Sequence, residues 1–233
     1  MTDQLDMWGQ RPHPTVPDID LRCCDVAEVL AECRGARLVH ADPPWSYDSG
    51  GVPGQSGWGP GSAMAGPCPY ECLSDDAMAE HIDAAWDSAS GSAYLVLWTT
   101  WPMLHQWLSA SKKSRWTYKT GGVWGKNDRL GIGFHWRGDS EPVLIYVKGN
   151  PRPLGRSTSN LHLSGRQAHS EKPVDFLCGM LDAWTSPGDL VLDLYAGLAP
   201  MARACKATGR RYLGAEIDPE RHQTAMARLW GAR

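Results

Sequence analysis

The chain has 233 residues, 42% of them hydrophobic, and a formal net charge of −3 at pH 7. That supplies one packed α/β domain and excludes a global electrostatic signature for nucleic acid, so any such binding must use a local basic patch. No apolar run approaches the roughly 20 residues of a membrane span, and Met1 to Asp20 has no basic-then-apolar leader pattern, so a cytoplasmic protein without membrane contact is expected.

Residues 1–17 read as a loose arm, and 18–233 as one domain with no linker inside it. Asp18 to Cys24 is predicted as a strand, with Asp25 opening a helix through Glu32. Arg37 to Ala41 is a second strand, running into Asp42-Pro43-Pro44-Trp45-Ser46-Tyr47. The segment from Tyr47 to Pro69 is rich in Gly, Pro and Ser without periodicity, and its length beside that turn suggests a functional lid. Ser74-Asp75-Asp76 caps a helix whose Met78, Ile82, Trp86 and Ala89 recur at core spacing. Ser92 to Thr100 is a continuous apolar run suited to a central parallel strand. A short helix from Pro102 to about Ser111 and strands at Trp116–Trp124 and Glu141–Lys148 follow.

The loops 126–139 and 149–169 carry Lys126, Arg129, Arg137, Arg152, Arg156 and Arg166 against few acids, and form the basic region that phosphate contacts require. A helix from Lys172-Pro173 to Trp184, a strand from Asp189 to Ala196, a helix from Met201 to Thr208, a strand from Arg211 to Ile217 and a last helix capped by Asp218 complete the chain. The alternation predicts a doubly wound, mostly parallel sheet. The seven cysteines form no C-x-x-C knuckle, and although Cys68, Cys72 and His81 lie close together they lack a fourth ligand, so reduced thiols and no metal site are expected. Of the twelve tryptophans, Trp45, Trp58, Trp124 and Trp136 fall near glycine-rich loops, where stacking on a base is compatible with the sequence.

Chemistry concentrates at Asp42-Pro43-Pro44-Trp45. Consecutive prolines fix their own φ and push the residue before each toward extended geometry, so Asp42 and the Pro43 carbonyl are held stiffly at a strand tip. Two acceptors beside an indole suit the capture of an exocyclic amine: its hydrogens face the acceptors, and its lone pair is free to turn to an electrophile. A rigid turn of no chemical consequence is the alternative reading of the tetrapeptide alone. Near the other end, Asp193-Leu194-Tyr195-Ala196-Gly197 follows a buried strand, and Glu216 ends the next one. This is a nucleoside-binding pattern, with a glycine turn and an acid for ribose hydroxyls. G-x-G-x-x-G is missing and Pro200 removes an N–H that a pyrophosphate would use, which argues against a dinucleotide.

The tetrapeptide resembles the catalytic motif of the MT-A70 branch of AdoMet-dependent N6-adenine methyltransferases, within the wider group that carries Asp, Asn or Ser before Pro-Pro-aromatic. The similarity extends over about residues 20 to 220: Cys24-Asp25-Val26, Trp124-x-Lys126, Gly131-x-Gly133, Glu141-Pro142, His169-x-x-Lys172-Pro173 and Gly214-x-Glu216-x-Asp218. It implies a Rossmann-like class I methyltransferase fold in the β order, with the catalytic half at about 18–150 and the AdoMet-binding half at about 166–233. Asp42, Pro43, Pro44 and Trp45 would then be catalytic, with Asp42 also facing the cofactor. Asp25, Val26, Lys172, Asp193, Tyr195, Gly197 and Glu216 would bind S-adenosyl-L-methionine. Lys172 would neutralise the cofactor carboxylate, Asp25 and Val26 would meet its adenine, and Glu216 would hold its ribose. Trp45 and Tyr47, with the basic residues above, would bind a flipped or unpaired adenine in nucleic acid, DNA being favoured over RNA. The alternatives are an RNA N6-adenosine enzyme, an N4-cytosine enzyme, an inactive nucleic-acid-binding partner subunit of the same fold and, disfavoured by Pro200, an NAD-dependent oxidoreductase. A homo-oligomer or a partner subunit stays open.

Overall fold

In this computed structural model the described residues are 18–44, 73–126, 136, 138–154, 159–165 and 171–231. Strands with two apolar faces need helices on both sides, and the chain supplies them by alternation. In order, the elements are β1 Ile19–Cys23, α1 Val26–Glu32, β2 Ala36–Ala41, α2 Asp75–Ser88, β3 Ala89–Trp98, α3 Leu104–Ala110, β4 Thr117–Lys126, β5 Ser140–Lys148, β6 Leu161–Ser164, α4 Val174–Trp184, β7 Leu190–Asp193, α5 Pro200–Thr208, β8 Arg211–Glu216 and α6 Pro219–Trp230.

The expected caps form. Asp25 and Glu28 make a reciprocal capping box on α1, the Ser74 hydroxyl accepts from the Ala77 N–H, and Asp218 accepts from Glu220 and Arg221 ahead of α6. Three boundaries differ from the sequence reading. β3 begins at Ala89, directly after α2, and β7 ends at Asp193 because the chain turns there into a loop. β6 lies inside the segment read as a loop; it has only four residues and half its side chains are exposed, too little pattern to mark a strand.

The eight strands run in the order β1-β8-β7-β2-β3-β5-β4-β6. Pairing is parallel from β1 to β3, and β5 is antiparallel to both β3 and β4. One face carries α1, α2 and α3 through Val29, Met78, Ile82 and Trp107 over Val39, Leu95 and Leu97. The other carries α4, α5 and α6 through Leu177, Leu181, Cys205 and Leu229 over Leu38, Val96 and Val191. Each large side chain so buried contributes about 1.5–3 kcal/mol. Among the described residues, no helix is long and apolar enough to cross a membrane.

A polar chain runs through the second core across four adjacent strands. The Trp98 Nε1–H donates to His40 Nε2 at 3.0 Å, His40 Nδ1 meets Asp193 Oδ1 at 2.8 Å, and the Tyr212 hydroxyl donates to Asp193 Oδ2 at 2.9 Å. An indole N–H can only donate, so Nε2 accepts and Nδ1 carries the hydrogen given to Asp193. Burial and the Asp193 carboxylate push the Tyr212 phenol well above its ordinary range, which keeps it a donor. Gly214 makes room for this ring, because a Cβ there would run into the Tyr212 hydroxyl. Gly149, at φ +63°, seats its α-carbon against the Gly91 carbonyl on the turn out of β5.

Two stability predictions follow from these contacts. Gly214→Ala lifts the phenol off a buried carboxylate and lowers unfolding free energy by about 1–3 kcal/mol in urea denaturation. Gly149→Ala costs more than about 1 kcal/mol in the same assay, since the residue combines left-handed backbone with a blocked Cβ direction.

Candidate active site

The strand order reverses direction between β7 and β2, and their carboxyl ends frame a crevice. In open α/β sheets such a switch point is where ligands bind. The chain leaves β2 at Asp42 and leaves β7 at Leu194, whose N–H is held by the His40 carbonyl at 3.0 Å. Two groups of candidate residues line this edge.

The first group lies where β7, β8 and β1 end. Gly197 (φ +56°) and Ala199 (φ +55°) both adopt left-handed backbone in the loop before α5. For alanine this costs about 1–3 kcal/mol and marks a segment shaped for something other than stability. The Gly197 N–H donates to Glu216 Oε2 at 2.8 Å and the Asp218 N–H to Oε1 at 3.0 Å. Burial raises the Glu216 carboxyl, and the two N–H bonds and Arg221 pull it back. An ionised carboxylate has about four lone-pair sites, so two remain for hydroxyls. Ile217 follows at 69% exposure, an apolar side chain presented to solvent beside a buried acid. Asp25 stands near, its chain tied in by the Cys24 N–H to the Glu216 carbonyl, but Oδ1 is spent on the Ala27 N–H as the cap of α1. Tyr195 meets His81 Nδ1 at 3.0 Å, and burial, with Asp25, pushes its phenol up.

The second group lies where β2 and β4 end and β5 begins. Lys172 Nζ bonds Asp42 Oδ2 at 2.6 Å and Glu141 Oε2 at 3.3 Å, and Lys126 pairs with Glu141 Oε1. The Lys172 side chain is 6% exposed and its ammonium sits 5.1 Å from the centre of the Trp98 ring. Burial works against its charge, but Asp42 and Glu141 outweigh that and hold it above the ordinary lysine range. Burial likewise opposes the Glu141 charge, and Lys172 and Lys126 prevail and lower it. The lysine is presented by its neighbour: buried Glu171 binds Arg203 of α5 and Arg228 of α6 and fixes the segment ahead of α4. Asp42 keeps 24% side-chain exposure at the mouth of the crevice. Pro43 behind it is buried.

Several expectations change. Asp193 is fully buried with both oxygens taken by His40 and Tyr212, so its carboxylate braces the crevice from within rather than facing it. Val26 is a core residue of α1. Trp124 is also core, its N–H on Ser164, and offers no face to a base. Arg152 lies beyond the far end of β5, where the Leu154 N–H meets the Ala183 carbonyl at the end of α4. The strand from Glu141 to Lys148 alone spans roughly 24 Å at the usual rise, so Arg152 is at the opposite edge of the sheet. Lys126 is at the site but turned to Glu141. The expected contributions of Trp45, Tyr47, Arg129, Arg137, Arg156 and Arg166, the arm 1–17 and the lid fall outside the described residues. Glu141, Glu171, Ile217, His40 and Trp98 were not singled out as site residues. Of these, Glu141 carries a signal in the Glu141-Pro142 element of the resemblance, and Glu171 and Ile217 each stand beside an expected site residue.

Comparison with known proteins agrees with this architecture. A family model described as DNA methylase matches residues 98–227, more than half of the chain. The Escherichia coli (strain K12) protein named "Putative methylase YubD" is 32% identical over 93 residues, 38% of this chain and 41% of that protein, so the chain spans about two fifths of that relative's length. The solved M1.HpyAVI–SAM complex is 18% identical with a TM-score of 0.68, covering 91% of this chain and 99% of that one. The PvuII DNA methyltransferase, described as cytosine-N4-specific, is 13% identical with a TM-score of 0.68, covering 92% and 87%. At these identities the structural likeness is one of fold. On the family match, the chain belongs to the DNA methylase family.

Proposed function

We propose that this chain is an AdoMet-dependent DNA methyltransferase that modifies the N6 amine of adenine. The observation that carries the reading is Asp42: a carboxylate at the carboxyl end of β2, at the switch point, with Oδ2 on a buried ammonium and its side chain partly open to the crevice. The MT-A70 resemblance named above adds that Asp, rather than Ser, stands first in the tetrapeptide. The fold is neutral on the base, since a cytosine-N4-specific enzyme has the same one.

The crevice has the chemistry that S-adenosyl-L-methionine requires. Glu216 offers acceptor capacity for ribose hydroxyls, exposed Ile217 an apolar face for an adenine ring, and the Gly197 turn a close backbone approach, where a Cβ would crowd Arg221. The cofactor would supply an electrophilic methyl group on a sulfonium. Asp42 and the Pro43 carbonyl accept the hydrogens of the target amine and aim its lone pair. Neither acts as a strong base beforehand, because the amine becomes acidic only as its new bond forms; Asp42 then takes the proton or passes it to solvent. Rate comes from positioning and from fixed negative charge where positive charge develops. In this reading Trp45 stacks on a base taken out of the helix or already unpaired, with Tyr47 assisting.

Asp42→Ala lowers methyl transfer by at least about 10²-fold, measured with labelled AdoMet at saturation, and leaves far-UV circular dichroism unchanged. A variant with near-normal turnover would remove Asp42 from the chemistry. With parallel DNA and RNA oligonucleotides, the wild type labels DNA, and mass spectrometry of the nucleosides finds N6-methyladenine; N4-methylcytosine there would reassign the base.

A further inference from the structure

The ammonium of Lys172 is shared between two acids, and only one of them has a part in the proposed chemistry. We infer that Glu141 is a positioning residue for Asp42, acting through Lys172: it holds the ammonium in place so that Asp42 can turn an oxygen to the target amine. The inference rests on the reading of Asp42 as the amine acceptor.

At 6% exposure Lys172 has almost no water, and its three donors must be met by protein. With Asp42 alone, the ammonium would close on both carboxylate oxygens and compete with the amine for them. In the structure Asp42 gives up only Oδ2, at 2.6 Å, and among the described residues Oδ1 takes no hydrogen bond. The second demand of the ammonium is met by Glu141 Oε2 at 3.3 Å.

Glu141 is placed to hold its post. It lies in β5, between β4 and β3, with the Thr99 N–H on the carbonyl of the next residue, Pro142. Its other oxygen is tied to Lys126 at the end of β4. Asp42, Lys172, Glu141 and Lys126 thus form an alternating row in which every lysine has an acid, and the formal charges cancel. Burial opposes the Glu141 charge, but the two lysines outweigh it and keep the carboxylate ionised, so the row persists through the working range of pH. Asp42 is the one member at an open end, 24% exposed against 17% for Glu141 and 14% for Lys126. When the Asp42 carboxylate turns, the ammonium is still neutralised. A group supported from a strand by fixed partners is the arrangement that holds a reacting residue to within a fraction of an ångström.

The test separates kcat from binding. Glu141→Gln lowers kcat for methyl transfer to DNA by about ten- to hundredfold, since Asp42 is drawn onto Lys172 and misplaced. AdoMet affinity by calorimetry and the KM for DNA stay within about threefold of wild type. Glu141→Asp, which keeps the charge, recovers part of the loss. A purely structural role would lower the melting temperature in both variants without this split or this rescue. Should Glu141→Gln fail to fold, the charge-balanced Lys126→Gln/Glu141→Gln double variant is assayed in its place, with the same loss of kcat expected. Wild-type kcat in either protein overturns the proposal. So does weakened AdoMet binding with normal saturated turnover, which would assign the Lys172–Glu141 pair to the cofactor instead. The readout counts label on DNA whichever base accepts it. Label on cytosine would therefore overturn the base assignment and leave the Glu141 ratio to be read on that base, whereas a wild type transferring no methyl overturns both.

Discussion

A charged lysine with almost no access to water must be paired, and the geometry of the candidate site depends on how Lys172 is paired. Its ammonium ties the carboxyl end of β2, through Asp42, to the start of β5, through Glu141, over the face of a tryptophan from the strand between them. Three adjacent strands are thereby pinned at the edge where the crevice opens. Breaking a buried pair by removing one partner is costly, so the arrangement is insensitive to small movements of the loops around it. The lysine itself is positioned from the other side of the sheet, because Glu171 is clamped by arginines of α5 and α6. Helices that carry no candidate catalytic group thus determine where the ammonium stands.

A second constraint lies beneath the first. The chain from Trp98 to His40 to Asp193 to Tyr212 crosses the switch point inside the core and joins the strand that delivers Asp42 to the strand that leads to Gly197. Trp98 belongs to both arrangements: its ring faces Lys172 and its N–H serves His40. The two walls of the crevice are therefore linked by hydrogen bonds of fixed direction as well as by apolar contact. A fully satisfied buried network of this kind favours a single arrangement over near alternatives. The Asp193 carboxylate belongs to this internal brace, and the acceptors that face the crevice are Asp42 and Glu216.

How much of this was legible in the sequence depended on range. Caps, the alternation of elements and the Asp-Pro-Pro turn are local, and Ser74, Asp25 and Asp218 stand where their side-chain chemistry says they should. The pairing of Lys172 with Asp42 spans 130 residues, and nothing in either neighbourhood encodes it. Asp193 illustrates the same limit: an acid at the end of a strand reads as a ligand until the partners from β2 and β8 are seen to consume it. Arg152 was grouped with the basic loops by proximity in sequence, whereas β5 carries it to the far edge of the sheet. Trp124 near a glycine-rich loop is compatible in sequence with stacking on a base, but the register of β4 with β6 covers it. Composition can identify a basic or aromatic residue; only topology says which edge it reaches.

The order of the strands has a consequence for how the molecule is assembled. Among the described strands β1 and β2 come first along the chain, yet β8 and β7, which come last, lie between them. A nascent chain that has made everything through β6 still lacks the second and third strands of its sheet, and the edges of β1 and β2 that will later be covered stand open. Such long-range pairing is slow to form and prone to wrong partners while it waits. The polypeptide therefore has to keep β1 and β2 apart until residues 190–216 arrive to fill the gap, and a chain cut short before β7 would be missing the keystone rather than a margin.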